Sequence, residues 1–124
     1  MKAAVGAVLA LTLASCAANR AATEPPPPPI VCKQGPDCDT KWSRALSWIA
    51  TNSRWRIQTQ TDLLIQTFNG VEDAETEPGY TITRLAKGAG AFEITFSGGC
   101  HNLFACIPSV AEQRAKFAAF VNSI

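Results

Sequence analysis

The chain has 124 residues, with 11 basic and 10 acidic side chains and a formal net charge of +1 at pH 7. A chain of this length has room for a single domain. Because there is no basic excess, the composition excludes the electrostatic footprint of a nucleic-acid-binding protein and of a protein that charge alone holds on anionic lipid.

The first residues of the chain have the pattern of an export signal. Lys2 precedes an apolar run from residue 3 to residue 13, which ends in Leu13-Ala14-Ser15-Cys16. The run is too short for a membrane-spanning helix, which needs about 20 apolar residues, and a positive residue before a short apolar segment is typical of a signal peptide. Residues 1–15 are therefore predicted to be a signal peptide. The alternative to a lipid anchor is an ordinary secretory signal with a chance cysteine at its end.

The segment Leu13-Ala14-Ser15-Cys16 resembles the lipobox of bacterial lipoproteins. The resemblance covers only this leader, and it implies cleavage before Cys16 and lipidation of Cys16, with palmitate as a typical acyl chain. Several acyl chains hold a protein firmly on a membrane. Ala17 stands where inner-membrane lipoproteins of this class usually carry Asp, which implies an outer-membrane anchor facing the periplasm.

Residues 16–31 are predicted to be the lipidated cysteine and a tether. Pro25–Pro29 is an unbroken proline run, and five prolines impose a polyproline II spacer of roughly 15 Å. The alternative is a proline-rich ligand for the groove of a partner. The folded domain is predicted to occupy residues 32–124.

The first predicted helix covers residues 41–52, with Asp39 or Thr40 as its N-cap and Asn52 and Ser53 at its end. Its apolar residues with helical spacing on one face are Trp42, Ala45, Leu46 and Ile49. Trp48 lies off this stripe and is expected to cover a flank of the core.

Four strands are predicted next. Residues 54–59 and 63–68 alternate with period two, and a hairpin centred on Thr61 is preferred to one long strand bulged near Asp62. The acidic stretch from residue 72 to residue 77 lacks the ligand spacing of a calcium loop and is predicted to be a solvated loop. Residues 80–86 and 91–96 form the third and fourth strands. Their predicted buried side chains are Tyr80, Ile82, Phe92, Ile94 and Phe96.

The second helix is predicted over residues 109–121, because Ser109 and Glu112 have the spacing of a capping box. Its inward-facing residues are expected to be Val110, Phe117, Phe120 and Val121. All apolar alternation points to one sheet face. The predicted fold is therefore α+β with two layers, a four-stranded antiparallel sheet with both helices on one face, in the order helix-β-β-β-β-helix.

Four cysteines remain after Cys16, and an even number in a small exported domain indicates two disulfides. They are Cys32, Cys38, Cys100 and Cys106. Both pairs are separated by five residues, whereas structural zinc sites favour two to four, so disulfides are preferred to a zinc site. Local pairing of Cys32 with Cys38 and of Cys100 with Cys106 is predicted, although four cysteines allow three connectivities.

No catalytic motif accompanies His101, the sole histidine, and no metal or cofactor is predicted. The loop from Gly98 to Pro108 is predicted to contact a partner, because it holds large apolar side chains in a position that is usually at the surface. The predicted contact residues are His101, Asn102, Leu103 and Phe104. The alternative is that Leu103 and Phe104 fold under the loop and fill the end of the core.

The sequence therefore predicts a membrane-anchored envelope lipoprotein that is not an enzyme but an interaction or accessory module. Its expected partners are the membrane, through the N-terminal lipid, and an envelope protein, with no nucleic acid. The alternative function is a small envelope hydrolase that uses His101 with carboxylates.

Overall fold

The structure is a computed structural model that describes residues 25–71 and 75–123. The predicted signal peptide and Cys16 lie outside these residues. The elements are β1 (Ile30–Lys33), α1 (Pro36–Asn52), β2 (Ile57–Gln60), β3 (Leu64–Thr67), β4 (Gly79–Gly88), β5 (Ala91–Gly99) and α2 (Val110–Asn122). The strands form one antiparallel sheet in the order β1-β5-β4-β3-β2. The predicted α+β class, with two helices and an antiparallel sheet, is confirmed.

The predicted number of four strands is wrong, because β1 adds a fifth strand before the first helix. Ile30 lies opposite Ile94 and Cys32 lies opposite Phe92 in β5, and both Ile30 and Cys32 are buried. The predicted tether, residues 16–31, therefore extends two residues too far, and the sheet begins at Ile30. Four residues directly after a proline run are too few to show a period of two, and their partner strand lies far along the chain.

Helix α1 begins five residues before the predicted start. Gly35 is its N-cap with a φ of 103°, a conformation that glycine adopts readily, and Pro36 takes the first helical position. The predicted caps, Asp39 and Thr40, lie inside the helix instead. The carboxylate of Asp37 accepts a hydrogen bond from the backbone N–H of Lys33 at 2.8 Å, and this bond is the largest cause of its lowered pKa.

The preferred β2–β3 hairpin is confirmed. Ile57 lies opposite Thr67, and the register shifts by a bulge between Ile57 and Thr59. The turn forms without a glycine, and Thr61 closes it by hydrogen bonds. The backbone N–H of Thr61 donates to Leu64 O at 2.8 Å, and its Oγ1 accepts from the N–H groups of Leu63 and Leu64 at 3.1 and 3.0 Å.

The core lies between the two helices and one face of the sheet. Its fully or nearly fully buried sheet side chains, which the strand registers place on one face, are Ile30, Cys32, Ile65, Tyr80, Ile82, Ile94 and Phe96. Trp48 is 4% exposed and lies at the centre of an aromatic cluster, with its ring edge-on to Tyr80, Phe96 and Phe117 at centroid distances of 6.0, 5.9 and 5.5 Å. Its predicted position on a flank is wrong.

Helix α2 packs against β5, β1 and α1. Ser109 is its N-cap, and its side chain accepts a hydrogen bond from Glu112 N at 3.2 Å, as the capping-box spacing predicts. Phe117 and Val121 are fully buried. Phe120 is not inward-facing as predicted. It is 37% exposed, and the guanidinium of Arg44 lies 4.2 Å from its ring centroid.

Candidate functional site in a disulfide-closed loop

The segment between β5 and α2 is held in place at both of its ends. β5 ends at Gly99 and α2 begins at Val110, and both elements carry core residues. Between them, a disulfide joins Cys100 to Cys106 with their Cα atoms 5.6 Å apart. This is the pairing that the sequence predicts. The disulfide draws the two sides of the segment together, so that residues 101–105 form the tip of a closed loop.

Hydrogen bonds fix the backbone inside the loop. The side-chain oxygen of Asn102 accepts from the N–H groups of Phe104 and Ala105 at 2.8 and 3.4 Å, which is an Asx turn. On the far side, the N–H of Ile107 donates to the carbonyl of Thr76 at 2.8 Å. The loop is therefore ordered by a covalent bond, by its own side chain and by a neighbouring segment.

The tip of the loop presents large apolar side chains to solvent. Leu103 is 98% exposed and Phe104 is 96% exposed, and Ile107 is 65% exposed. The alternative that Leu103 and Phe104 fill the end of the core is therefore wrong. The core is filled instead by other aromatic side chains, among them Trp48 and Phe117, which are 4% and 0% exposed.

His101 and Asn102 line a hollow of about 420 Å³ beside the tip, together with Cys100 and Leu103. Cys100 has no thiol to offer as a nucleophile because its sulfur is in the disulfide. The hollow and the apolar tip are suited to making contacts with another molecule.

The structure brings all four predicted contact residues together at one end of the sheet. Ile107, which also lies in the predicted contact loop, extends the apolar surface. One residue that completes the site was not predicted. Thr76 anchors the loop, because its backbone carbonyl accepts the hydrogen bond from the N–H of Ile107. No sequence pattern indicates a backbone contact between two residues 31 positions apart.

The second disulfide lies away from this site. Cys32 and Cys38 are joined with their Cα atoms 4.9 Å apart, again as predicted, and connect β1 to α1. Both side chains are buried, with exposures of 4% and 0%. This disulfide therefore belongs to the core, whereas the Cys100–Cys106 disulfide belongs to the loop.

Within residues 25–71 and 75–123, no three or more His, Cys, Asp or Glu side chains gather as a metal site. None of the helices in this part of the chain is long and apolar enough to cross a membrane. What the loop does must follow from its own geometry and chemistry, since the chain matches no protein-family model, no curated protein and no solved structure.

Proposed function

We propose that the chain is a lipid-anchored bacterial envelope protein whose folded domain is a non-catalytic interaction module. Its contact with an envelope protein partner is the loop from Gly98 to Pro108. The observation that carries the proposal is the near-complete exposure of Leu103 and Phe104 on an ordered loop. Exposed apolar groups that are held together at a surface mark interaction sites.

The energetics of the loop support binding. Full burial of a Leu or Phe side chain is worth about 1.5–3 kcal/mol, and the free protein leaves this contribution unused at Leu103 and Phe104. Association normally loses part of its gain to the ordering of loops. Here the disulfide and the Asx turn of Asn102 have already ordered the backbone, so most of the apolar contribution would appear as affinity. Phe104 in addition supplies an aromatic side chain, a residue type that is enriched at protein interfaces.

The envelope location is supported by two features of the chain. The first is the lipobox-like segment that ends at Cys16, which implies a lipid anchor in the outer membrane, facing the periplasm. The second is the pair of disulfides, because such bonds persist in oxidising compartments. The proline run after Cys16 would then hold the domain at a distance from the membrane.

The alternative from the sequence is a small hydrolase that uses His101. Such an enzyme would use the histidine as a general base toward a nucleophilic side chain or a water molecule. The cysteine next to His101 cannot be that nucleophile, because the sulfur of Cys100 is held in the disulfide. No observation favours the hydrolase over the binding module.

The proposal is tested by replacing the two exposed side chains together. Leu103→Ala with Phe104→Ala should change the free energy of unfolding by less than about 0.5 kcal/mol, as for most surface substitutions. The purified wild-type protein is used to capture its partner from detergent-solubilised envelope, and the captured protein is identified and purified. Its dissociation constant should then rise by at least tenfold for the double variant.

A matched control removes apolar surface elsewhere. Val31 and Leu85 are 54% and 49% exposed on the face of the sheet that points away from the core. The variant with Val31→Ala and Leu85→Ala should bind the partner as the wild type does. Equal losses in both double variants would show that the contact is not specific to the loop. A large fall in melting temperature for the loop variant would show that its side chains serve the fold.

A further inference from the structure

A groove of about 650 Å³ lies between the start of α1 and the turn of the β2–β3 hairpin. It is at the other end of the sheet from the Cys100–Cys106 loop, because β5 leaves the β4–β5 turn near the groove and runs toward Cys100. The side chains that matter for its chemistry are Asp39, Trp42, Asp62, Leu63, Arg84 and Phe92. Its volume falls within the range of small-molecule sites, roughly 300–1,000 Å³.

Arg84 is the unusual residue of this groove. It lies opposite Ile94 in the sheet, two residues after the fully buried Ile82, and therefore on the face that carries the core. Its side chain is only 12% exposed. Its Nε atom is buried and has no hydrogen-bond partner among the residues that the structure describes. A charged group in this position is rare unless it is paired.

The pairing of Arg84 within the described chain is weak. Its Nη1 lies 3.9 Å from Oδ1 of Asp39, which is beyond hydrogen-bonding distance, and the Asp39 side chain is 71% exposed. The Phe92 ring lies 4.7 Å from the guanidinium carbon and stabilises the cation from one side. A half-paired buried cation is unfavourable for folding, and an apolar side chain of similar size would serve the core better. A buried polar group left without a partner needs an explanation, and Arg84 also lines the groove, where a ligand can pair with its guanidinium.

The charges of the groove restrict what that ligand is. A guanidinium is the group of choice for binding a carboxylate through two parallel hydrogen bonds. Asp39 and Asp62 line the same groove, so a simple anion would be repelled by two carboxylates. A ligand that carries an ammonium group next to its carboxylate satisfies both signs. The separation of 3.9 Å between Asp39 Oδ1 and Arg84 Nη1 suits a ligand whose ammonium and carboxylate groups are bonded to the same carbon, as in an α-amino acid.

The remaining wall of the groove is apolar. The indole N–H of Trp42 already donates to the carbonyl of Thr61 at 3.3 Å, so this side chain offers the ligand only its ring surface. Leu63 and Phe92 add further apolar surface. This wall is suited to an apolar ligand side chain.

We propose that this groove binds a free α-amino acid with an apolar side chain. The ligand carboxylate pairs with Arg84, its ammonium group pairs with Asp39 and Asp62, and its side chain packs on Trp42 and Phe92. The site is separate from the contact loop and does not depend on the function proposed for that loop.

The test is an NMR titration of the full-length protein, with phenylalanine as the probe. The indole N–H of Trp42 reports on the groove, while those of Trp48 in the core and Trp55, whose N–H donates to Glu77 O at 3.0 Å, are internal controls. Phenylalanine should shift the Trp42 signal in a saturable way. N-acetylphenylalanine, which lacks the ammonium group, and phenylalaninamide, which lacks the carboxylate, should each bind at least tenfold more weakly.

Variants separate the groups. Arg84→Met should weaken phenylalanine binding at least tenfold, and Arg56→Met, at an exposed arginine near Phe68, should leave it unchanged. Asp39→Asn changes an exposed residue and should also weaken binding, which keeps the test decisive if Arg84→Met fails to fold. The Leu103→Ala, Phe104→Ala protein should bind phenylalanine normally, so failure of the loop function and failure of this site are distinguishable.

Three results would overturn the proposal. The first is the absence of a saturable shift at Trp42 with phenylalanine. The second is equal binding of the three probes, which would mean apolar contact alone, or stronger binding of N-acetylphenylalanine, which would mean a site for simple carboxylates. The third is unchanged binding in both the Arg84→Met and the Asp39→Asn proteins.

Discussion

The two disulfides close loops of the same size but lie in different surroundings, and this difference predicts unequal contributions to stability. Each joins cysteines six positions apart. Cys32 and Cys38 are buried in the core, whereas Cys100 and Cys106 are half-buried in the loop. Replacing each pair by alanine should therefore separate the effect of loop closure, which the pairs share, from the effect of burial, which they do not.

The magnitude follows from the two contributions. In the chain-entropy model, closure of so short a loop is worth about 2 kcal/mol for either disulfide. The core pair also loses two buried sulfur atoms, and a buried group of methylene size is worth about 1 kcal/mol. We therefore expect a loss of about 4 kcal/mol for Cys32→Ala with Cys38→Ala and about 2 kcal/mol for Cys100→Ala with Cys106→Ala.

Urea denaturation followed by circular dichroism measures these losses, and thermal melts provide a second estimate. For a domain of this size, 1 kcal/mol shifts the melting temperature by about 4–8 °C, so the expected shifts are about 15–30 °C for the core pair and about 8–16 °C for the loop pair. The loop pair should in addition weaken partner binding, because the apolar tip loses its order. Equal losses of stability, or a larger loss for the loop pair, would refute the assignment of Cys32–Cys38 to the core.

Two further predictions concern the leader and the core. The intact mass of the purified envelope protein should correspond to cleavage before Cys16 with added acyl chains, and an unmodified protein that starts at another residue would contradict the lipid anchor. Burial, and to a smaller extent the charge of Glu77, raises the pKa of Tyr80 to about 12. In the unfolded chain the tyrosine ionises near pH 10. Because only the unfolded state then loses its proton, the free energy of unfolding should fall between about pH 10 and pH 12. An absorbance titration follows Tyr80 directly since it is the sole tyrosine, and a midpoint near 10 in the folded protein would disagree.

Elements that depend on neighbouring residues could be predicted from the sequence. Helix α2 and its cap at Ser109 depend on side chains within one turn, and the β2–β3 hairpin depends on alternation over two short runs. The local pairing of the four cysteines agrees with the structure for the same reason, since each pair brackets a short turn-rich segment. In all of these cases the interacting groups are close in sequence, so the pattern that specifies the contact is visible without the fold.

Elements that depend on distant partners could not be predicted. β1 is a strand because β5 pairs with it, more than 55 positions along the chain. Trp48 lies off the stripe of α1, yet it occupies the centre of the core because the rings of β4, β5 and α2 surround it. The surroundings of Phe120 likewise depend on a distant residue, because the guanidinium of Arg44 covers one face of its partly exposed ring.

The candidate site shows the same division. Composition alone placed large apolar residues between a strand and a helix, and it left open whether Leu103 and Phe104 face solvent or the core. The tertiary structure decided this, because the core is filled by the aromatic cluster around Trp48 while Leu103 and Phe104 are 98% and 96% exposed. For Arg84, the sequence shows only an arginine in line with apolar strand residues. Its burial beside Phe92 and its weak pairing with Asp39 exist only when α1 packs over the sheet, since contact between groups far apart in the chain is a property of packing and not of any local pattern.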